Sequence, residues 1–198
     1  MDTETVEIKK SNLTAAYQQA NEETKKLLGV LFGLAEAAKD DRPVTERIKT
    51  IEDACRELGD EHPLVQQYRC WMQEAPVYDG SECDQIAYLK LRIITTALNE
   101  GWRPQFTEDE TRYYPWFWLY TQEELDNMGD DEKERRRMIR TGDYQTEYAG
   151  FGCAYSNDAP SRTYAYVGSR LCLRTDELAT YCGRHFIQLW ADFTLTRK

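Results

Sequence analysis

Histidine is almost missing from this chain: His62 and His185 are the only two in 198 residues. Two imidazoles leave little room for a His-based metal centre or a Ser-His-Asp relay, and no G-x-S-x-G turn marks a nucleophile. No two cysteines stand in C-x-x-C spacing. Cys55, Cys70, Cys83, Cys153, Cys172 and Cys182 are scattered, which predicts reduced thiols, most of them small core residues. A phosphate loop is missing too, because Gly150-Phe151-Gly152 is too short and no helix pattern follows it. Nowhere do about 18 uncharged apolar residues run together, so no membrane span is expected. The opening MDTETVEIKKSNLTAAYQQ lacks a basic start followed by an apolar stretch. No signal peptide is therefore expected, and the cytoplasm of the host cell, or a virion, is the expected location. Basic charge is also short. Lys and Arg number 25 against 35 Asp and Glu, a net charge of -10, which argues against unassisted binding to nucleic acid and leaves a basic protein partner open.

What is present is enough to build a core. Apolar residues make up 41% and aromatics 12%, while a mean hydropathy of -0.74 keeps most of the surface hydrated. The first half reads as helical. Leu13, Ala16, Tyr17, Ala20, Thr24, Leu27, Leu28 and Leu31 fall at helical spacing and predict one helix over 11–32, capped by Ser11. A second helix is expected from Thr45, burying Val44, Ile48, Ile51, Cys55 and Leu58 and stopping at Gly59. A third starts at Pro63 and buries Leu64, Tyr68, Trp71 and Met72. The fourth, over 82–100, carries two adjoining apolar stripes (Ile86, Leu89, Ile93, Ala97 and Ala87, Leu91, Ile94, Leu98), so it should sit between other elements.

After Gly101 the pattern changes to short strands. YYPWFWLY, from Tyr113 to Tyr120, is apolar on both alternating faces, and Pro115 restricts it to an edge or to a start beyond the proline. Phe151 to Tyr155, Thr163 to Val167 and Arg170 to Arg174 are further strand candidates, with Gly168-Ser169 as a hairpin turn or a bulge. A helix capped by Thr175 closes the chain, and the charged stretch 121–149 reads as an exposed loop or loose surface helix. The expected fold is α+β: a helical region over 1–101, then a small antiparallel sheet and a C-terminal helix over 102–198, with the two regions free to form one domain.

Few residues invite chemistry. Cys182 and His185 share a helix face at i, i+3, but a closed metal site needs about four ligands. A Cys–His pairing of Cys153 or Cys172 with His185 stays open. No metal and no cofactor is expected. The aromatic strand is more informative. It either fills the space between sheet and helices or leaves ring faces exposed as anchors, with Tyr114, Trp116 and Trp118 as the candidates. The stretch from Tyr155 to Tyr166 mixes Tyr, Ser and Asn, as binding loops do and as ordinary solvated turns also do; Tyr155, Asn157, Arg162, Tyr164 and Tyr166 are its candidate contacts. Arg170, alternating with Leu171, is expected half-buried, clamping the base of that stretch or joining the contact surface.

RIKTIEDACRELG (47–59), LKLRIITTALNEGW (89–102), YYPWF (113–117) and VGSRLCLRTDELATYCGRHFIQLWADF (167–193) resemble a family of uncharacterised proteins common in phages, prophages and mobile elements of Bacteroidales. About half the chain is covered, and the order YYPWF, GSRLC and ELAxYxGxxF is fairly specific. The resemblance names no activity. It implies that the strings are scaffold and that 152–166 is a variable surface, similar in outline to the hypervariable segments of ligand-binding proteins diversified by retroelements. The insert 121–149 and PLVQQYRCWM (63–72) depart from the family pattern, and the insert is free to cover, extend or replace that surface. Together these features lead to the expectation of a non-enzymatic binding protein of phage or mobile-element origin, with an anti-defence factor as one form of it. Its partner would be a host or phage protein or a small ligand. A virion structural or assembly protein and an enzyme of unfamiliar type are the alternatives.

Overall fold

A computed structural model of the chain describes residues 8–32, 42–74, 83–105, 107, 109–158 and 169–198. The chain divides into two compact units, Met1–Arg42 and Pro43–Lys198. The first unit contains α1 (Lys10–Gln19) and α2 (Glu22–Phe32) in place of the single expected helix. Ala20 is extended, and the Asn21 side chain accepts from the Thr24 amide at 2.9 Å, starting a new helix where the apolar spacing alone would continue the old one. Leu27, Leu31 and Phe32 stand exposed, so the expected core stripe does not close over α2.

The second unit begins with α3 (Val44–Arg47) and α4 (Ile51–Leu58). One continuous helix was the expectation here, and a capping box divides it: Thr50 accepts from the Asp53 amide, and the Asp53 carboxylate takes the Thr50 amide at 2.9 Å. Val44, Ile48 and Cys55 are buried as expected. The next helix, α5 (Pro63–Glu74), starts at its proline but turns Val65 and Tyr68 inward and leaves Met72 exposed.

α6 (Cys83–Leu98) is the centre of this unit, with Leu91, Ile93, Ile94 and Leu98 fully buried against α4, α5 and the C-terminal helices. Glu100 and Gly101 then take left-handed backbone conformations, φ 47° and 86°, that end it. Just before them, Asn99 donates to the Cys172 carbonyl at 2.9 Å and accepts from the Arg174 amide at 3.1 Å, which ties a distant part of the chain to the helix end.

The sheet has three antiparallel strands in the order β1 (Tyr113–Tyr120), β3 (Gly150–Asp158), β2 (Ile139–Arg140). β1 lies at the edge, as Pro115 requires. Its register with β3 slips once, leaving Ala154 as an extra residue on β3, so alternation along β1 itself is unbroken. Residues 121–149 are more than an exposed loop. They hold α7 (Gln122–Asn127), α8 (Asp130–Arg135) and β2, and they bury Leu125, Thr141 and Tyr144. Charge dominated the reading of that stretch and hid its few anchoring residues.

Arg170–Arg174 does not form a strand. Ser169–Leu171 is a 3₁₀ turn, and only Leu173 pairs, with Tyr113. Thr163–Val167 and the Gly168 turn lie outside the described residues. Finally, the single closing helix expected from Thr175 is two, α9 (Asp176–His185), capped by Thr175, and α10 (Ile187–Thr194), because Phe186 between them leaves the helical backbone at φ -108° and ψ 31°. Gly183 lets α9 press onto the sheet: a Cβ there would stand 2.7 Å from Cys153 Sγ and from Pro115 Cβ.

Ile93→Asp should destabilise the protein by about 3–5 kcal/mol, because it buries an unpaired carboxylate at the centre of α6. Thermal unfolding should show a midpoint lowered by on the order of 10 °C; an unmoved midpoint would place α6 at the periphery.

Candidate functional site

Alternation along β1 sorts its side chains into two sets. Tyr113, Pro115, Phe117 and Leu119 face the helices; Phe117 stacks on Phe151 at 4.8 Å and meets Trp190 at 5.5 Å. Tyr114, Trp116, Trp118 and Tyr120 face the other way. Register places Asn157 beside Tyr114, Tyr155 beside Trp116 and Gly152 beside Trp118. Tyr114, Trp116, Trp118, Tyr155 and Asn157, all expected from sequence as contacts, therefore share one face of the β1–β3 ribbon. One face of the strand fills the space between sheet and helices, and the other leaves the rings of Trp118 and Tyr155 partly exposed.

Within that face the residues differ. Trp116 stacks on Tyr155 with centroids 6.2 Å apart and planes 13° apart, and its buried Nε1 has no hydrogen-bond partner among the described residues. Trp118 and Tyr155 are half exposed, at 50% and 49%. Tyr114 is 5% exposed and packs with Cys172 and Trp102, so it belongs to the interior and not to a contact surface. Burial, and then the neighbouring Cys172, push its hydroxyl up to about 12. Arg162, Tyr164 and Tyr166 lie outside the described residues.

The insert covers the other end of this face. Arg136 sits 5.7 Å over the Tyr120 ring and donates to its hydroxyl at 2.7 Å, while its carbonyl accepts from the Cys153 amide. Met138 fills the space over Gly152, where a Cβ would come within 2.7 Å of the Met138 methyl. The insert thus both extends the sheet, through β2, and shields the Tyr120 end, leaving Trp116, Trp118 and Tyr155 uncovered.

Beside this face a cleft of about 560 Å³ runs along β1 from Tyr114 to Leu119. Its far wall comes from the end of α10, with Trp190, Phe193 and Leu195; Tyr148, Asn157, Asp158 and Thr194 add polar atoms, and among the described residues Asp158 is the only charged one lining it. Phe193, Leu195 and Tyr148 were not foreseen as site residues, because nothing in their local spacing says that the end of α10 comes to lie beside the strand. Shallower hollows near His185 mix Lys49, Lys133, Arg137 and Arg184 with Asp176, Glu177 and Glu134 and set no field of a single sign.

Arg170 is exposed, which overturns the half-buried clamp expected of it. A turn replaces the strand whose alternation would have drawn it inward. The clamping role falls to Asn99, and the deeply buried arginine here is Arg112, 0% exposed and close enough to act on Tyr114 and Cys172.

Cys182 and His185 do not converge. Cys182 is fully buried near Trp190, whereas His185 is exposed, stacked on Tyr181 at 5.1 Å and 2.8 Å from the Lys49 carbonyl. Burial pushes the Cys153 and Cys172 thiols up to about 11, against the direction a nucleophile needs. Among the described residues no group of His, Cys, Asp and Glu is arranged to hold a metal ion. No family model, no curated protein and no solved structure matches the chain.

Two measurements follow from the buried groups. Native alkylation near neutral pH should modify exposed Cys70 while sparing Cys55, Cys153, Cys172 and Cys182 until the protein unfolds. Peptide mapping would read this, and early modification of Cys153 would contradict its burial. Burial also raises Tyr114, Tyr144 and Tyr181 to about 12 and Cys182 to about 12, so the folded state holds these protons longer than the unfolded chain does. Stability from these groups is full below the ordinary cysteine value of 9.0 and is lost as pH rises through 11 and 12. Denaturant titrations should accordingly agree between pH 7 and about 8.5 and weaken steeply above about 10.

Proposed function

We propose that this chain is a non-enzymatic binding protein of phage or mobile-element origin whose contact surface is the aromatic face and cleft along β1. One observation carries the reading: the half-exposed Trp118 and Tyr155 stand beside an apolar cleft with a sparse polar rim. Rigid rings with one free face contribute binding area at low entropic cost, and concave apolar surface with few polar atoms is what ligand and partner sites are made of. The uncovered end of the face includes residues 155–158, the described end of the stretch that the family resemblance marks as variable. An anti-defence factor that occupies a host protein is the role that best suits a small acidic binder in such a setting, acting in the host cytoplasm. Burial of the thiols weighs against an enzyme of cysteine type.

A second reading, a virion assembly protein, is favoured by one observation. Leu27, Leu31 and Phe32 of α2 expose an apolar strip of the kind that oligomer contacts cover. Light scattering after size exclusion separates the two: a ring or filament supports assembly, and a monomer removes it.

A fragment screen followed by amide shifts tests the first reading. Apolar and aromatic fragments should perturb Trp118, Tyr155 and Phe193. Trp118→Ala should weaken those hits by about 1–2 kcal/mol, roughly tenfold, at an unchanged thermal midpoint. Hits that map elsewhere, or none at all, would remove the cleft from the function.

A further inference from the structure

The outer edge of β1 has a pairing capacity that the described residues leave unused. Tyr113 turns its amide and its carbonyl away from β3, to Leu173, at 3.0 and 2.8 Å. Backbone alternation then turns the polar groups of Pro115, Phe117 and Leu119 to that same outer side, while Tyr114, Trp116, Trp118 and Tyr120 serve the ladder with β3. Pro115 offers only a carbonyl. Phe117 and Leu119 offer a donor and an acceptor each, and no described residue partners them. These groups lie along the cleft whose wall is Trp190, Phe193 and Leu195.

We propose that the cleft takes its partner as an added strand: an extended segment of a basic protein that pairs antiparallel with Phe117 and Leu119 and continues the outer pairing begun by Leu173. The proposal rests on the binding reading above and names its partner class. Side chains of an added strand alternate between the two faces. Those opposite Phe117 and Leu119 enter the apolar wall of α10, so they are apolar. The residue between them lies beside Trp118 and takes an aliphatic or aromatic side chain. Charge supplies the rest. The chain carries -10, and Asp158, paired with Tyr113, is the only charged residue among the described residues that line the cleft, so a Lys or Arg belongs toward that end of the segment. Pro115 limits the edge to the Phe117–Leu119 side, which confines pairing to a short register.

The test uses the full chain, isotope-labelled, with three probes: a short synthetic peptide of alternating valine and leucine ending in lysine, the same peptide N-methylated at the residues facing Phe117 and Leu119, and N-acetyl-tryptophanamide. The unmodified peptide should slow hydrogen exchange at the Phe117 and Leu119 amides, and the methylated copy should bind at least about tenfold more weakly. Leu119→Pro removes an outward amide that the β1–β3 ladder does not use, so it should lose the peptide to a similar degree, whereas Leu119→Ala, which trims the same half-buried side chain but keeps that amide, should still pair with it. Equal binding of both peptides would overturn strand addition and leave the cleft as a site. So would a cleft that takes the tryptophan amide but neither peptide. Phe117 and Leu119 amides already protected in the free protein would mean that the chain fills its own edge, and the proposal would fall. If none of the three perturbs Trp118 or Phe193, the binding reading falls with it.

Discussion

Pro115 has no amide hydrogen, so β1 pairs fully on one side only, and much of the C-terminal half is arranged around that restriction. β3 becomes the central strand and takes its second partner from the insert, through Ile139 and Arg140. The ring of Pro115 meets Gly183 and helps set how closely α9 lies against the sheet. On the side β3 does not occupy, Leu173 closes the first position and the cleft opens beyond it.

Asn99 gives the second fixed point. A helix end normally leaves carbonyls to solvent, but here an amide side chain at the end of α6 holds the backbone on both sides of Leu173. Cys172 and Leu173 are thereby delivered to β1, and the pairing of Tyr113 with Leu173 follows from it. Buried, satisfied polar groups of this kind define one arrangement among several with similar apolar burial.

The helices were legible because their apolar spacing survives whatever packs on them. α6 carried the widest stripe and is the core; α9 carried a Thr cap and acidic first turn and starts there. At two of the places where two helices replaced one, the cause was local and short-ranged: Asn21 and the Thr50–Asp53 box each offer the backbone an alternative that outweighs continued periodicity. On the shared face, Trp116 and Trp118 were legible through strand alternation, whereas Tyr155 and Asn157 were marked by the composition of their stretch and turn out to lie in β3. Tyr114 was not distinguished from them, since its burial depends on Cys172 and Trp102, neither of which is near it in sequence on the same element. Arg170 was misplaced for a similar reason: its orientation was inferred from a strand that Asn99 and the 3₁₀ turn replace. The wall of α10 was invisible because long-range geometry alone brings it to β1.

The anchoring of the insert has a consequence for the order in which the chain acquires structure. Tyr144 donates to Asp192 at 2.6 Å and receives Gln188, while Gln145 pairs with Thr196 and the amide of Lys198 reaches Asp143. During vectorial synthesis, residues 121–149 leave the ribosome well before any of these partners exist. Until 188–198 emerge, β2 and the cover over Gly152 are held only through Arg136 and the β3 pairing, and the aromatic face of β1 is less firmly shielded. A nascent chain therefore passes through an interval in which its stickiest surface is weakly covered, the interval in which a chaperone or a second nascent chain competes with the insert.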